Sequence, residues 1–209
     1  AGRRVLPATP GRTTMCPVEL SWDASESACL WLLPINTRRD GVTVSTMRGR
    51  MAQWKMVPLP LGNPEGLAQA LQEVTRTQTV SLDDARALGF WDDENPNDNP
   101  PRGDDDRVEV PAWRHALINY PHPLLKRGLV VIDTPGLNAI GAEPELTLNL
   151  LPNAHAVLFI LAADTGVTQS DLAVWREHVN AGRRQRGRIV ALNKIDGLWD
   201  GLRSEADIE

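Results

Sequence analysis

Residues 155–196 read HAVLFILAADTGVTQSDLAVWREHVNAGRRQRGRIVALNKID. Two apolar runs, HAVLFILAAD (155–164) and GRIVALNKID (187–196), bracket the polar-apolar segment SDLAVWREHVNAG (170–182). Continuous apolar runs suit strands buried on both faces. Between them Ser170 is placed to cap a helix, Leu172, Trp175 and Val179 share one helical face, and Gly182 can end it. A further run, GLVVID (128–133), precedes both and is the first of the three in chain order. This β-α-β rhythm predicts an α/β, three-layer fold with a mostly parallel sheet, helices on its faces and ligands beyond the carboxyl ends of the strands.

Toward the front, CPVELSW (16–22) and ACLWLLPI (28–35) flank the polar DASES and read as a hairpin-like pair of strands. A helix start is legible at Asn63, with Pro64 in its first turn and Leu67, Leu71 and Val74 on one face. Residues 91–107, WDDENPNDNPPRGDDDR, hold seven acids against Arg102 and Arg107, a net of -5 that equals the formal charge of the whole chain. That stretch has little to bury and is expected to be a mobile, solvated surface loop.

Composition sets outer bounds. The 209 residues give room for one large domain or two small ones. The charge of -5 argues against a broad electrostatic grip on nucleic acid or anionic lipid. The two cysteines, Cys16 and Cys29, form no CxxC pair and have no histidine at ligand spacing, so a reduced, cytoplasmic setting is expected. No apolar run is long enough to span a bilayer, and AGRRVLPATPGR lacks the apolar core of a signal peptide. The start without Met and the stop at SEADIE, where a helix is under way, lead to the expectation of an internal segment of something longer.

Chemistry concentrates at strand ends. Asp133-Thr134-Pro135-Gly136 closes the first run: an aspartate leaving a hydrophobic strand can hold a magnesium ion against nucleotide phosphates, and Gly136 lets its backbone N–H approach the terminal phosphate. The plain alternative is a strand followed by a proline turn. Asn193-Lys194-Ile195-Asp196 closes the third run as an NKxD pattern. There Asp196 can accept hydrogen bonds from the ring N1–H and exocyclic amine of guanine, which adenine cannot supply. Asn193 can tie neighbouring loops, and the Lys194 stem can lie along the base. Asp133 and Asp196 stand 63 positions apart, room for a strand, a helix and a strand between them. Upstream, Gly11-Arg12-Thr13-Thr14 precedes CPVEL. Thr14, in preference to Thr13, can give its hydroxyl to magnesium and its N–H to the terminal phosphate, a nucleotide-state switch.

With these three sites in order, the chain resembles the GTPase domain of the dynamin superfamily, specifically the bacterial dynamin family proteins. VLPATPGRTTMCPVEL resembles the family's switch segment, and INYPHPLLKRGLVVIDTPGLN resembles its approach to the third GTPase motif. ADTGVTQSDL and NKIDGLWD follow in the expected order. The resemblance is weakest from 40 to 110, and the 119 positions between Thr14 and Asp133 match the insertions dynamin-like proteins carry there. It implies a partial dynamin-type GTPase domain over 1–209, with an insertion at about 40–110. It implies GTP and Mg2+ as ligands, Thr14 and Asp133 as metal ligands, and Thr13, Thr14, Asp133 to Gly136, Asn193, Lys194 and Asp196 as nucleotide contacts. Thr14 is also assigned to catalysis. Self-association across the nucleotide face, membrane association through regions outside this chain and a cytoplasmic or peripheral-membrane location follow from the same resemblance.

Leu137 follows Gly136, so water cannot be oriented by a glutamine there. Dynamin-like GTPases are understood to use phosphate-loop residues, a cation and dimerisation instead. The lysines are Lys55, Lys126 and Lys194, none preceded by glycine, so GxxxxGK is not present and its loop, strand and helix are expected upstream of Ala1. On that expectation the strands ending at Asp133 and Asp164 flank a gap, and the isolated chain neither grips GTP tightly nor stays a soluble monomer. Two other readings stay open: an Era-type ribosome-associated GTPase, and a non-hydrolysing interaction module of GTPase shape. His115, His122, His155 and His178 show no partner pattern and read as structural or surface residues. Trp22, Trp31 and Trp175 read as packing, and Arg183, Arg184, Arg186 and Arg188 as solvating a helix-to-strand connection.

Overall fold

The computed structural model describes residues 16–96, 99–103, 105–133, 156–163, 166–179 and 187–195. The chain divides into two compact units, Ala1–Glu143 and Pro144–Glu209.

In the first unit a five-stranded sheet is built from β1 (Val18–Ser21), β2 (Cys29–Pro34), β3 (Lys55–Pro58), β6 (Trp113–Asn119) and β7 (Val131–Asp133), in the order β3-β2-β6-β1-β7. β1 runs parallel to β6, whereas β2–β6, β2–β3 and β1–β7 are antiparallel. This sheet is therefore mixed and not mostly parallel as the rhythm of the second half suggested. The expected hairpin is also corrected: β1 and β2 are not partners, because β6 lies between them. The sequence WRHALIN is buried at six of its seven positions, which suits a central strand more than either half of an edge hairpin.

One face of the sheet is covered by α2 (Pro64–Gln72). Asn63 caps it, its Oδ1 accepting from the N–H groups of Glu65 and Gly66 at 3.1 Å each, with proline in the first turn. Leu67, Ala70, Leu71 and Val74 then pack with Val18, Leu30, Leu32, Ala116 and Ile118. Burial of each large apolar side chain in such a cluster contributes about 1.5–3 kcal/mol. Alternation along β2 turns Leu33 to the other face, where α1 (Val44–Arg48) and the following turn bring buried Val44, Met47 and Trp54.

A smaller module carries its own core. Strands β4 (Thr77–Ser81) and β5 (Arg107–Pro111) pair antiparallel, and α3 (Leu82–Ala87) packs Ala85 and Leu88 with Ile35, Phe90, Val108 and Val110. Within the acidic stretch, the described residues carry local bonds. Arg86 donates to Asp93, Asp92 accepts from Glu94 N–H and Asn95, Asn99 Nδ2 donates to Asp92 O, and Arg102 donates to Asp106. The Arg86 hydrogen bond holds the Asp93 carboxyl below its ordinary pKa.

The second unit contains β8 (Val157–Ala162), α4 (Gln169–Val174), a π-helical turn (Trp175–Val179) and β9 (Arg188–Asn193). β8 and β9 pair in parallel, as the rhythm predicts, and Phe159 meets the Trp175 ring edge-on with centroids 5.6 Å apart. The helix cap differs from expectation. Thr168, not Ser170, caps α4 through a reciprocal box with Asp171, because a carboxylate three residues after the threonine returns a bond to its N–H. Burial on both faces is corrected as well: Leu158, Ile160 and Ile189 are 58%, 58% and 61% exposed. Among the described residues nothing covers that face of the two-stranded sheet.

Candidate functional site

Asp133 is the last residue of β7 and is half-buried. The antiparallel ladder pairs Val131 with Leu20, Ile132 with Glu19 and Asp133 with Val18. Val18 is 3% exposed and belongs to the main core, and β1 is itself fixed to β6 through four registered pairs. The backbone position of Asp133 is thus set by a ladder rooted in packed residues. Because β1 and β7 run in opposite directions, the end where the chain leaves β7 is the end where it enters β1. A carboxylate at that edge offers the hard oxygen donors that magnesium prefers.

Thr13, Thr14, Thr134, Pro135 and Gly136 lie outside the described residues. The opposite end of β1 is organised differently. There Asn119, 6% exposed at the end of β6, accepts from Asp23 N–H and donates to the carbonyls of Asp23, Glu26 and Ser27. The 22–28 connection, which crosses β6 to reach β2, is anchored by that amide, with Trp31 Nε1 donating to Glu26 Oε2 at 3.2 Å as a further tie.

In the second unit Asn193 closes β9, opposite Ala162 of β8, and its carbonyl accepts from Ala163 N–H at 2.9 Å. The parallel pairing makes the two strands exit at a common edge. Asn193 Oδ1 accepts from Lys194 N–H at 2.9 Å, and Lys194 takes a left-handed backbone conformation with φ 59°. A non-glycine residue there is uncommon, and it turns the chain sharply at the strand end. The amide oxygen of Asn193 thus binds the next residue of its own turn. Asn193, Lys194 and Ile195 are exposed, and Asp196 lies outside the described residues. Asp133 belongs to the first unit and the Asn193–Lys194 turn to the second.

After β8 the chain turns at Gly166, with φ 66°, and enters α4 through the Thr168–Asp171 cap. This cap escaped the sequence reading, although TQSD fits the pattern of a threonine three residues ahead of an acid. Among the described residues no group of three or more His, Cys, Asp or Glu side chains is arranged to hold a metal ion. A cavity of about 690 Å³ on the β4–α3–β5 module is lined by Ser81, Asp83, Asp84 and Asp106 among others and contains none of the candidate metal or nucleotide residues. No helix among the described residues is long and apolar enough to cross a membrane.

A family model described as Dynamin family matches residues 1–195. A bacterial dynamin-like protein of Nostoc punctiforme is 30% identical over 93 residues, which is 44% of this chain and 13% of that protein. GTPase Der of Sodalis glossinidius is 30% identical over 105 residues, covering 46% of this chain and 20% of its own. Isoniazid-induced protein IniA of Mycobacterium tuberculosis is 44% identical over 71 residues, 33% of this chain and 9% of that protein. The chain therefore spans less than a quarter of the length of each of these relatives. A solved structure of an oligomerised bacterial dynamin pair, described as a mechanism for long-range sensing and tethering of membranes, aligns with a TM-score of 0.43 at 16% identity. That alignment covers 99% of this chain and 25% of the other.

Proposed function

The chain belongs to the dynamin family, and on that premise we propose that its Asp133 segment binds metal and its NKxD turn reads the base when a longer protein hydrolyses GTP. The observation that carries this reading is the register of Val18 against Asp133. Val18, the ladder partner of Asp133, follows Thr14 by four positions in the sequence, and the reading takes Thr14 to act with Asp133.

In this reading Asp133 and Thr14 hold Mg2+, directly or through water, and Thr13, Thr134 and Pro135 shape the surrounding loops. Bound magnesium supplies charge neutralisation for the phosphate oxygens. The Gly136 N–H donates toward the terminal phosphate, where the lack of a Cβ permits close approach. Thr14 adds its own N–H there and so senses whether that phosphate is present. Asp196 accepts from N1–H and the exocyclic amine of guanine, Lys194 lays its stem along the base, and Asn193 fixes the turn from which both project. Leu137 cannot position water, so that task falls to groups outside the DTPG turn. GxxxxGK is not among the 209 residues, and the reading assigns this chain no phosphate cradle of its own.

Family membership further supports self-association across the nucleotide face and action at the cytoplasmic side of a membrane, through regions of the longer protein. Phosphate release by the full-length protein tests the reading. Turnover of GTP is expected to depend on Mg2+ and to fall at least about 100-fold in Asp133→Asn, with the preference for guanine retained. Undiminished, magnesium-dependent turnover in Asp133→Asn contradicts it.

A further inference from the structure

The face of the first unit's sheet turned away from α2 holds a buried group that the proposed reaction does not use. His115, in β6, is 1% exposed, and among the described residues neither ring nitrogen has a hydrogen-bond partner. Its ring meets Trp54 edge-on, with centroids 6.1 Å apart and planes at 89°. Trp54 donates its indole N–H to Met47 O at 2.9 Å, and Val44 and Met47 are 2% and 0% exposed. The segment 44–54 therefore forms a short cap packed against the imidazole. Among the described residues it is attached through the Thr43 cap of α1, the buried Val44 and Met47 side chains, the Trp54 ring and an Arg48–Glu19 ion pair.

The charged groups around this site are chiefly cationic. Arg114 comes from β6, donating to Thr37 O at 3.1 Å and Val42 O at 2.8 Å, and Arg48 comes from α1. Glu19 of β1 is the acid on this side and is engaged by Arg48. The neighbour of His115 on β2, Leu33, is apolar. A proton taken up by the closed form would place a third cation in this pocket with no acceptor for either N–H, a buried charge of the most costly kind.

We propose that residues 44–54 are an acid-released cap: uptake of a proton by His115 is coupled to opening of this segment, which exposes the ring to water. Burial, with Arg48 and Arg114 adding to it, pushes the imidazole down from 6.5 to about 3. The open form binds a proton below about 6.5 and the closed form does not until about 3, so the opening constant rises about tenfold for each pH unit between those values. Above 6.5 neither form is protonated and the cap stays shut. Since β3 begins at Lys55, one residue beyond Trp54, opening also loosens the edge strand of the sheet.

Hydrogen exchange of the full chain, read by mass spectrometry from pH 4.0 to 7.5 and corrected for intrinsic rates, tests this. Protection of residues 43–54 is expected to fall about tenfold per pH unit below 6.5, while α2 keeps its protection, and the pH dependence is expected to vanish in His115→Leu. An unchanged slope in His115→Leu, or protection that is flat with pH in the wild type, overturns the proposal. If His115→Leu does not fold, the ring proton resonances of His115 in the wild type decide. An imidazole still neutral at pH 5 in the closed form supports the cap, and one titrating near 6.5 with the segment still protected overturns it.

Discussion

Asn119 grips Asp23 at both of its backbone polar groups: Oδ1 accepts from the Asp23 N–H at 2.7 Å, and Nδ2 donates to the Asp23 carbonyl at 3.1 Å. The same amide nitrogen donates to Glu26 O at 3.3 Å and Ser27 O at 3.1 Å. A single side chain of the central strand thereby replaces the turn chemistry of the hairpin that the sequence suggested.

Truncation of this amide leaves several backbone groups without their partner near a buried position. Asn119→Ala is expected to destabilise the first unit by about 2–3 kcal/mol in urea unfolding. A loss below about 0.5 kcal/mol would show that the crossing loop is held by other contacts.

The cap of α2 is a separate and smaller contribution. Asn63→Ala removes the acceptor for Glu65 and Gly66 N–H and is expected to cost about 1 kcal/mol, whereas Asn63→Asp should retain most of the stability. Thermal melts of the two variants, compared with wild type, check the ordering.

His115 makes a prediction about global stability that does not need the cap to open by itself. Its pKa is lowered on folding from 6.5 to about 3, so its share of stability is complete above 6.5 and is lost as pH falls toward 3. The difference in unfolding free energy between wild type and His115→Leu should change by about 1.4 kcal/mol per pH unit in that range, to the disadvantage of wild type. At pH 7.5 the leucine variant should already be more stable by about 1–2 kcal/mol, because two orphaned buried nitrogens are gone. Urea titrations at four pH values measure both effects.

Local signals in the sequence were legible where a single element determines the outcome. Asn63 with Pro64 and the Leu67, Leu71, Val74 stripe announced α2, and the two apolar runs around a helical segment announced the parallel β8–β9 pair. Partner choice was not legible, because strand order depends on residues distant in sequence. Nothing in CPVELSW or ACLWLLPI says that WRHALIN, about 80 residues later, inserts between them. At α4 the competing signal was chemical: Ser170 lay nearest the apolar periodicity, but the Thr168–Asp171 pair satisfies two backbone groups together.

The candidate site was legible as residue types and spacing, and the ladder adds the edge at which Asp133 stands. The left-handed turn at Lys194 was not readable, since lysine rarely adopts that conformation and no sequence rule marks it. His115 likewise looked like an ordinary structural histidine. Its lack of hydrogen-bond partners depends on α1 and Trp54, which pack on it from a segment about 60 to 70 positions away.

The central claim is that the NKxD turn reads guanine through Asp196. Nucleotide competition in the full-length protein, wild type against Asp196→Asn, tests it most directly. An amide at this position offers a donor where the carboxylate accepted two bonds, and it is expected to exchange the preference for GTP for one toward xanthosine triphosphate, by about 100-fold or more. Retention of the wild-type preference for GTP over xanthosine triphosphate in Asp196→Asn would contradict the account.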